Sequence, residues 1–340
     1  MIMKEERLDH LILPVEFPFD TTWPWNSMLI SILSANKESL DWVYSNFINI
    51  ECMENKQREG ELFITYSIPD LFRMCPFIRL NSLKRNEVNV LSSGDTLNFL
   101  INCIYYKYYL FGIFDQSFFL ENGSLHQTFI YGYNLKFRVF HVADFTFEGK
   151  YSFQQIEMDQ IINGFNAVKQ EQDYLPNQVA LQLLQFVKFE YDLDPILIYH
   201  MLLNYLNGER EVGARQFFNA DERYYGVRVY DKIIDFICLE MEKNVFDHKR
   251  LNFIYIHKIH LMNTFRRLKE LTLIGNLIEQ EWEGLINDAL FIRNLYLKYT
   301  ITKRDKTGFD IINKIKELKL REIDLIREVI TDLNENIIKN

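Results

Sequence analysis

Cysteine, proline and glycine are all scarce in this sequence. Its 340 residues include only four cysteines, seven prolines and 13 glycines. The cysteines stand far apart and form no CxxC pair, so neither a disulfide framework nor a zinc site is indicated, and reduced thiols in a cytosol are expected. With few chain-breaking residues and 48% hydrophobic residues, the composition is typical of a compact globular protein with one large domain or two ordinary ones.

Positive charge is also in short supply. The chain has 38 basic and 47 acidic side chains and a net charge of −9, which repels phosphate backbones and anionic lipid surfaces. Nucleic acids and membranes are therefore poor candidate partners. The segment "MIMKEERLDHLILP" carries charges where a secretory signal needs an apolar core, and no uncharged run approaches the ~20 residues of a bilayer span. We expect a soluble, cytoplasmic protein.

Motifs for metals and phosphates are missing as well. There is no GxGxxG and no GxxxxGK[ST], so no cofactor is predicted. His257 and His260 lie three residues apart on a predicted helix, with His248 upstream, but no HExxH pattern accompanies them. We interpret them as part of a basic helix face, "HKIHLMNTFRR", and predict no metal site.

The first half of the chain mixes helix-like and strand-like sequence patterns, which predict an α+β domain over residues 1–172. Apolar spacing in residues 27–47 predicts a helix that begins at Ser27, with Asn26 as its N-cap. Aromatic and β-branched runs predict strands over residues 61–68, 108–115, 128–134 and 137–145. Two further helices are predicted over residues 92–107 and 153–170.

The second half, residues 173–340, predicts an all-α helical domain. Six stretches show the 3.6-residue period, from "PNQVALQLLQFVKFEY" at residue 176 to "FDIINKIKELKLREIDLIREVITDLNENI" near the end. No strand is predicted there.

One group of polar residues in the first half has the order of a papain-type site. Ser27 opens a predicted helix, where the helix dipole can stabilise an anion, and His126 and Asp144 belong to consecutive predicted strands. If those strands form a hairpin, His126 and Asp144 lie across from each other, and the carboxylate can fix the imidazole tautomer. Asn26 or Thr21 could then supply an oxyanion donor. The predicted catalytic residues are Ser27, His126 and Asp144.

His141 belongs to the same strand as Asp144. The alternation of a strand sets it on the opposite face, so we interpret it as a strand-edge residue and not as a second base.

Several segments also resemble a known family. "YYLFGIFDQSFF", "GSLHQTFIYGYN", "FRVFHVADF" and "GKYSFQQI" resemble the papain-like fold of the bacteriocin-processing cysteine peptidases. They look closer still to stand-alone relatives from antibiotic biosynthesis clusters, such as the butirosin acyltransferase group. "YYGVRVYDKI" and "DHKRLNFIYIHKIHLM" are similar to the helical extension of those relatives.

The resemblance implies a papain-like cysteine-protease-type domain with an antiparallel sheet, followed by the helical domain. It also implies acyl transfer, in which an acyl group leaves a carrier-protein thioester for an enzyme cysteine and then passes to an amine to give an amide. The partners implied are an acyl or peptidyl carrier protein and a small-molecule amine acceptor. The basic stretch "HKIHLMNTFRRLK" is the predicted docking surface for the acidic carrier protein.

The sequence departs from the family at the nucleophile. The family places a cysteine at the start of the first helix, where this chain has "TTWPWNS"; Ser27 or, in another register, Pro24 stands at that position. A serine hydroxyl is far less acidic than a thiol, so ion-pair activation is lost. Three interpretations stay open: Ser27 is a native nucleophile, it replaces a cysteine to trap an intermediate, or the protein is a non-catalytic relative that only binds.

The leading hypothesis is therefore an amide-forming acyltransferase of natural-product biosynthesis. The alternative is an inactive papain-like scaffold or substrate-binding protein of the same kind of pathway. A peptidase ranks third, since the helical domain has no obvious proteolytic use.

Overall fold

The protein folds into two compact units with an α+β architecture and antiparallel sheets. The first unit contains the described residues up to Lys37 together with Phe72–Phe189, and the second contains Glu38–Leu71 and the chain from Glu190 onward. The domain boundary between residues 172 and 173 stays a prediction. The computed structural model describes residues 8–54, 62–147, 149–210, 223–243, 246–275 and 277–338.

The strands form one large and one small sheet. The strands are β1 His10–Ile12, β2 Ile50–Glu54, β3 Leu62–Tyr66, β4 Ile78–Leu83, β5 Tyr109–Asp115, β6 Leu125–Asn134, β7 Val139–Phe147, β8 Lys150–Glu157, β9 Leu181–Phe186 and β10 Arg223–Tyr225. In the first unit the strand order is β4-β9-β5-β6-β7-β8, and β1 pairs with β6. In the second unit the order is β10-β2-β3.

Eleven α-helices accompany these strands in the described part of the chain. The helices are α1 Pro24–Ser34, α2 Leu40–Asn46, α3 Leu71–Met74, α4 Arg85–Ser92, α5 Thr96–Tyr105, α6 Met158–Ala167, α7 Pro195–Asn207, α8 Arg228–Lys243, α9 Lys249–Glu270, α10 Leu277–Thr302 and α11 Asp305–Ile338. The first unit carries α1 and α4–α6, and the bundle of the second unit is built mainly from α7–α11.

The four predicted strands are confirmed, and the last two form the expected hairpin. β6 and β7 pair antiparallel, with Phe129 opposite Ala143 and Asn134 opposite Val139. Both strands are buried on both faces over most of their length, at residues 127–133 of β6 and 140–144 of β7, so they form much of the core of the first unit. This hairpin brings the start of β6 close to the end of β7.

The predicted start of the first helix is wrong. Helix α1 begins at Pro24 with Trp23 as the N-cap, and the Ser27 amide donates to the Trp23 carbonyl at 2.9 Å. Proline suits the first helical position, since its ring fixes φ and the missing N–H would have no helical partner there. Asn26 is therefore a buried residue inside the first turn and not the cap.

The predicted helix over residues 153–170 is also wrong in its first part. Lys150–Glu157 is strand β8, paired along β7, and the helix α6 starts only at Met158. Pairing with the neighbouring strand β7 satisfies the backbone groups of this segment, and this outweighs the helical spacing of its apolar residues.

The all-α prediction for residues 173–340 is contradicted by two strands. β9 lies in the first unit between β4 and β5, and β10 pairs with β2 in the second. The apolar run Leu181–Phe186 is short, and such a run fits a buried strand as well as a buried helix. Before β9 in the chain, Asp173 accepts two hydrogen bonds of 3.1 and 2.7 Å from the guanidinium of Arg85.

A charged network lies in the core of the second unit. The Nζ atom of Lys258 on α9 donates to the carboxylate of Glu322 on α11, and both side chains are fully buried. The hydroxyls of Tyr205 and Tyr230 donate to the same carboxylate at 3.0 and 2.5 Å. Burial lowers the pKa of Lys258, and the neighbouring carboxylate opposes that shift.

In the described part of the chain, no helix combines the length and the apolar character that a membrane span requires.

Candidate functional site

The structure brings His126 and Asp144 together at one end of the β6–β7 hairpin. The Nδ1 atom of His126 lies 3.4 Å from one oxygen of Asp144 and 3.5 Å from the other. The His126 side chain is 34% exposed and the Asp144 side chain only 2% exposed. The carboxylate is thus in the protein interior, and the imidazole reaches the surface.

Several donors hold the Asp144 carboxylate in place. Gln116 donates through Nε2 to Oδ2 at 2.5 Å, and the Phe145 amide donates to Oδ1 at 2.6 Å. The Thr128 hydroxyl donates to Oδ2 at 3.4 Å and accepts from Gln116 at 3.1 Å. A carboxylate with this many partners cannot rotate freely, so it presents a fixed acceptor to His126.

The hydrogen bonds of His126 define its tautomer. Besides Asp144, Nδ1 faces the Gln127 carbonyl oxygen at 3.0 Å. Both groups are acceptors, so we assign the ring proton to Nδ1, and Nε2 then carries the lone pair. This is the arrangement in which an imidazole acts as a base through Nε2.

A cleft of about 560 Å³ opens beside this pair. The loop of residues 119–124 forms one wall, and His126, Gln116, Phe145 and Gly149 complete the described lining. Its volume is within the range of small-molecule sites, and its lining mixes apolar and polar groups.

Ser27 is not among the described residues that line this cleft. It is fully buried in α1, and its hydroxyl donates to the Trp23 carbonyl at 3.0 Å. Pro24, the other residue considered for the nucleophile position, has no nucleophilic atom. The structure therefore joins His126 with Asp144 and gives neither of them a described hydrogen bond to Ser27.

The predicted oxyanion donors have other surroundings. Asn26 is buried, and its Nδ2 donates to Thr22 Oγ1 at 3.1 Å and lies 3.4 Å from Asp20 Oδ2. Thr21 is half-buried ahead of α1. Neither residue belongs to the described lining of the cleft.

No protein-family model matches the sequence, and no curated protein matches it.

The cysteines of the first unit and of the small sheet are poor nucleophiles. Burial raises the pKa of Cys52, Cys75 and Cys103 to about 12, so their thiols are protonated at neutral pH. Cys238 is exposed, on α8 in the second unit.

His141 is not among the described residues that line the cleft, but the interpretation of it as a strand-edge residue is wrong. Its strand, β7, lies between β6 and β8, and the ring packs 5.6 Å from that of His10 on β1. Burial lowers the pKa of His141, and His10 acts in the same direction.

The basic stretch on α9 is not an exposed face. His257, Lys258 and His260 are all buried, because α9 runs through the core of the helical bundle. Arg266 and Arg267, which follow them, form ion pairs with acidic side chains. The predicted docking surface is therefore wrong in its buried part. Within the described ranges, no group of three or more His, Cys, Asp or Glu side chains could hold a metal ion.

Gln116 is the residue that sequence reasoning missed. It directly follows β5, and its amide links Thr128 to Asp144. A polar residue at the end of an apolar strand was the available signal, but only the pairing of β5 with β6 shows which groups it meets.

Proposed function

We propose that the first unit carries a papain-like acyl-transfer site in which His126 moves protons and Asp144 orients His126. The observation that supports this most is the contact of His126 Nδ1 with both oxygens of a buried, multiply bonded carboxylate at the edge of a cleft. A base oriented by a carboxylate can take the proton from a nucleophile during acyl transfer to an amine.

The proposed reaction forms an amide from a carrier-protein thioester and a small-molecule amine, in the cytoplasm. Of the described lining residues, Glu121 is the one acidic side chain, and none is a lysine or an arginine. This charge favours the approach of an acceptor amine in its protonated form, which loses a proton to solvent before it attacks the acyl group.

The test uses a set of acyl-pantetheine thioesters with primary amines. Thiol release and amide mass report turnover, and His126→Ala is compared with His200→Ala, which removes an exposed histidine of the second unit. We expect His126→Ala to lower the rate about 100-fold to 10,000-fold and His200→Ala to leave it unchanged. Equal rates for the parent protein and His126→Ala would overturn the proposal.

A binding protein without catalysis is the second candidate. The burial of Ser27 and its hydroxyl bond to Trp23 favour it, since the position of the family nucleophile is inaccessible. In that case the protein binds an acyl-pantetheine without releasing thiol, and binding is equal in the parent protein and in His126→Ala.

A further inference from the structure

We propose that Ser124 is the nucleophile of this site and carries the acyl group between donor and acceptor. This inference rests on the proposed acyl transfer and names the residue that replaces the missing cysteine. Ser124 and His126 line the same cleft, and Ser124 is exposed.

The strand geometry sets Ser124 and His126 on one face. The Gln116 amide donates to the Ser124 carbonyl at 3.0 Å, which extends the antiparallel pairing of β5 and β6 by one step beyond Asp115 and Leu125. In an extended strand, residues two apart point to the same side. The face that carries His126 therefore carries Ser124 too.

Gln116 connects the serine to the proton-transfer pair. Its main chain holds Ser124, and its side chain donates to Asp144. Gly123 fixes the same corner, because a Cβ there would lie 2.2 Å from the Gln116 carbonyl carbon. The loop is therefore closely packed, and Gln116 is bonded both to the proposed nucleophile Ser124 and to the carboxylate that orients the base.

The hydroxyl of Ser124 is available for chemistry. In the described part of the chain it makes no side-chain hydrogen bond, whereas the nearby Ser117 hydroxyl is bonded to Asp115 at 2.6 Å. Ser117 is therefore the matched control for Ser124.

The reaction balances without a cofactor. Ser124 gives its hydroxyl proton to His126 Nε2 as Oγ bonds to the thioester carbonyl carbon; the C–S bond breaks, and the leaving thiolate takes the proton from His126. The amine then attacks the ester and gives a proton to His126. The C–O bond breaks, and Oγ recovers that proton.

A fluorophosphonate probe tests this assignment without knowledge of the substrate. An activated serine displaces fluoride and gains a phosphonyl group, which intact mass and peptide mapping locate. We expect labelling at Ser124 in the parent protein and in Ser117→Ala, and none in Ser124→Ala or His126→Ala. Thermal unfolding followed by circular dichroism checks that each variant is folded.

The two proposals fail in different ways. If Ser124 is not labelled, or is labelled equally in His126→Ala, the nucleophile assignment is overturned. If amide formation depends on His126 but is unchanged in Ser124→Ala, the amine attacks the thioester directly and only this inference fails. Labelling at Ser124 without any thioester turnover overturns the proposed function and the role of Ser124 as acyl carrier, and shows only that Ser124 is an activated serine.

Discussion

At the scale of single residues, Asp144 decides how His126 is presented. The carboxylate accepts from Gln116, Thr128 and the Phe145 amide, and these bonds leave it one orientation toward the imidazole. An uncharged group of the same shape keeps the packing but does not stabilise a protonated His126.

We therefore expect Asp144→Asn to lower amide formation by about 100-fold or more while the protein stays folded. Steady-state rates with acyl-pantetheine and amine measure this. Asp159→Asn is the control, because that carboxylate is exposed and pairs with the exposed guanidinium of Arg138. A rate for Asp144→Asn equal to that of the control contradicts an orienting role.

Gly123 is packed so closely against neighbouring backbone that a larger residue does not fit there. Gly123→Ala places a Cβ against the backbone of Gln116 and Ser117, at 2.2 to 2.4 Å, so the loop must move. We expect a loss of about 1–3 kcal/mol in the free energy of unfolding. Urea unfolding measures it, with Gly275→Ala as the control, since a Cβ there would lie 3.5 Å from the Asp332 side chain, an ordinary contact. If Gly123→Ala loses no more free energy of unfolding than Gly275→Ala, the loop at Gly123 can rearrange at little cost.

At the scale of elements, α9 and α11 are joined through a buried charge pair. Glu322→Gln removes the charge that compensates Lys258 and weakens the acceptor of Tyr205 and Tyr230. We expect a cost of about 3–5 kcal/mol, measured by urea unfolding.

The control for this pair is an exposed one on the same helix. Asp324→Asn breaks the ion pair of Asp324 with Arg327, and both of these side chains are mostly exposed. We expect this variant to lose about 0–1 kcal/mol in the free energy of unfolding. Similar losses for Glu322→Gln and Asp324→Asn would mean that the buried pair contributes little.

Elements whose own residues favour one type of secondary structure could be predicted from the sequence. Elements whose type is decided by pairing with segments far away in the chain could not. The hairpin of β6 and β7, and with it the meeting of His126 and Asp144, followed from two neighbouring runs of aromatic and β-branched residues. Strand β9 could not be predicted, because its leucines are equally compatible with a helix and only the pairing with β4 and β5 makes the segment a strand. Gln116 was missed for the same reason.

At the scale of the whole molecule, the chain passes between its two units more than once. The first unit is built from two segments, and Glu38–Leu71 belongs to the second. The sequence does not reveal such a path, because periodicity reports local structure and not which distant segments pack together.

The stability of the molecule should fall in acid. His257 is fully buried, its Nε2 faces the Ile48 carbonyl at 2.8 Å, and its Nδ1 faces Lys258 Nζ at 3.2 Å. Burial lowers the pKa of His257 well below 6.5, and the charges of Lys258 and His260 act in the same direction. The unfolded chain therefore binds a proton that the folded chain excludes.

The contribution of His257 to the free energy of unfolding is therefore fully present above the pKa of this histidine in the unfolded chain, about 6.5. As the pH falls below that value, the free energy of unfolding decreases by about 1.4 kcal/mol per pH unit for this group. Urea unfolding between pH 7.5 and pH 5 measures the slope. We expect His257→Gln to reduce it and the exposed-site variant His200→Gln to leave it unchanged. An identical slope in all three proteins excludes His257 as the source.

The place of β9 in the sheet has a consequence for how the protein assembles. Strands β5 to β8 follow one another along the chain and can pair early, but Leu181 at the start of β9 must find Gly112 of β5 far back in the sequence. Closing so long a loop is slow. We therefore expect the edge of β5 that β9 covers to stay unpaired until β9 reaches it, and an unpaired strand edge can pair with other chains and aggregate.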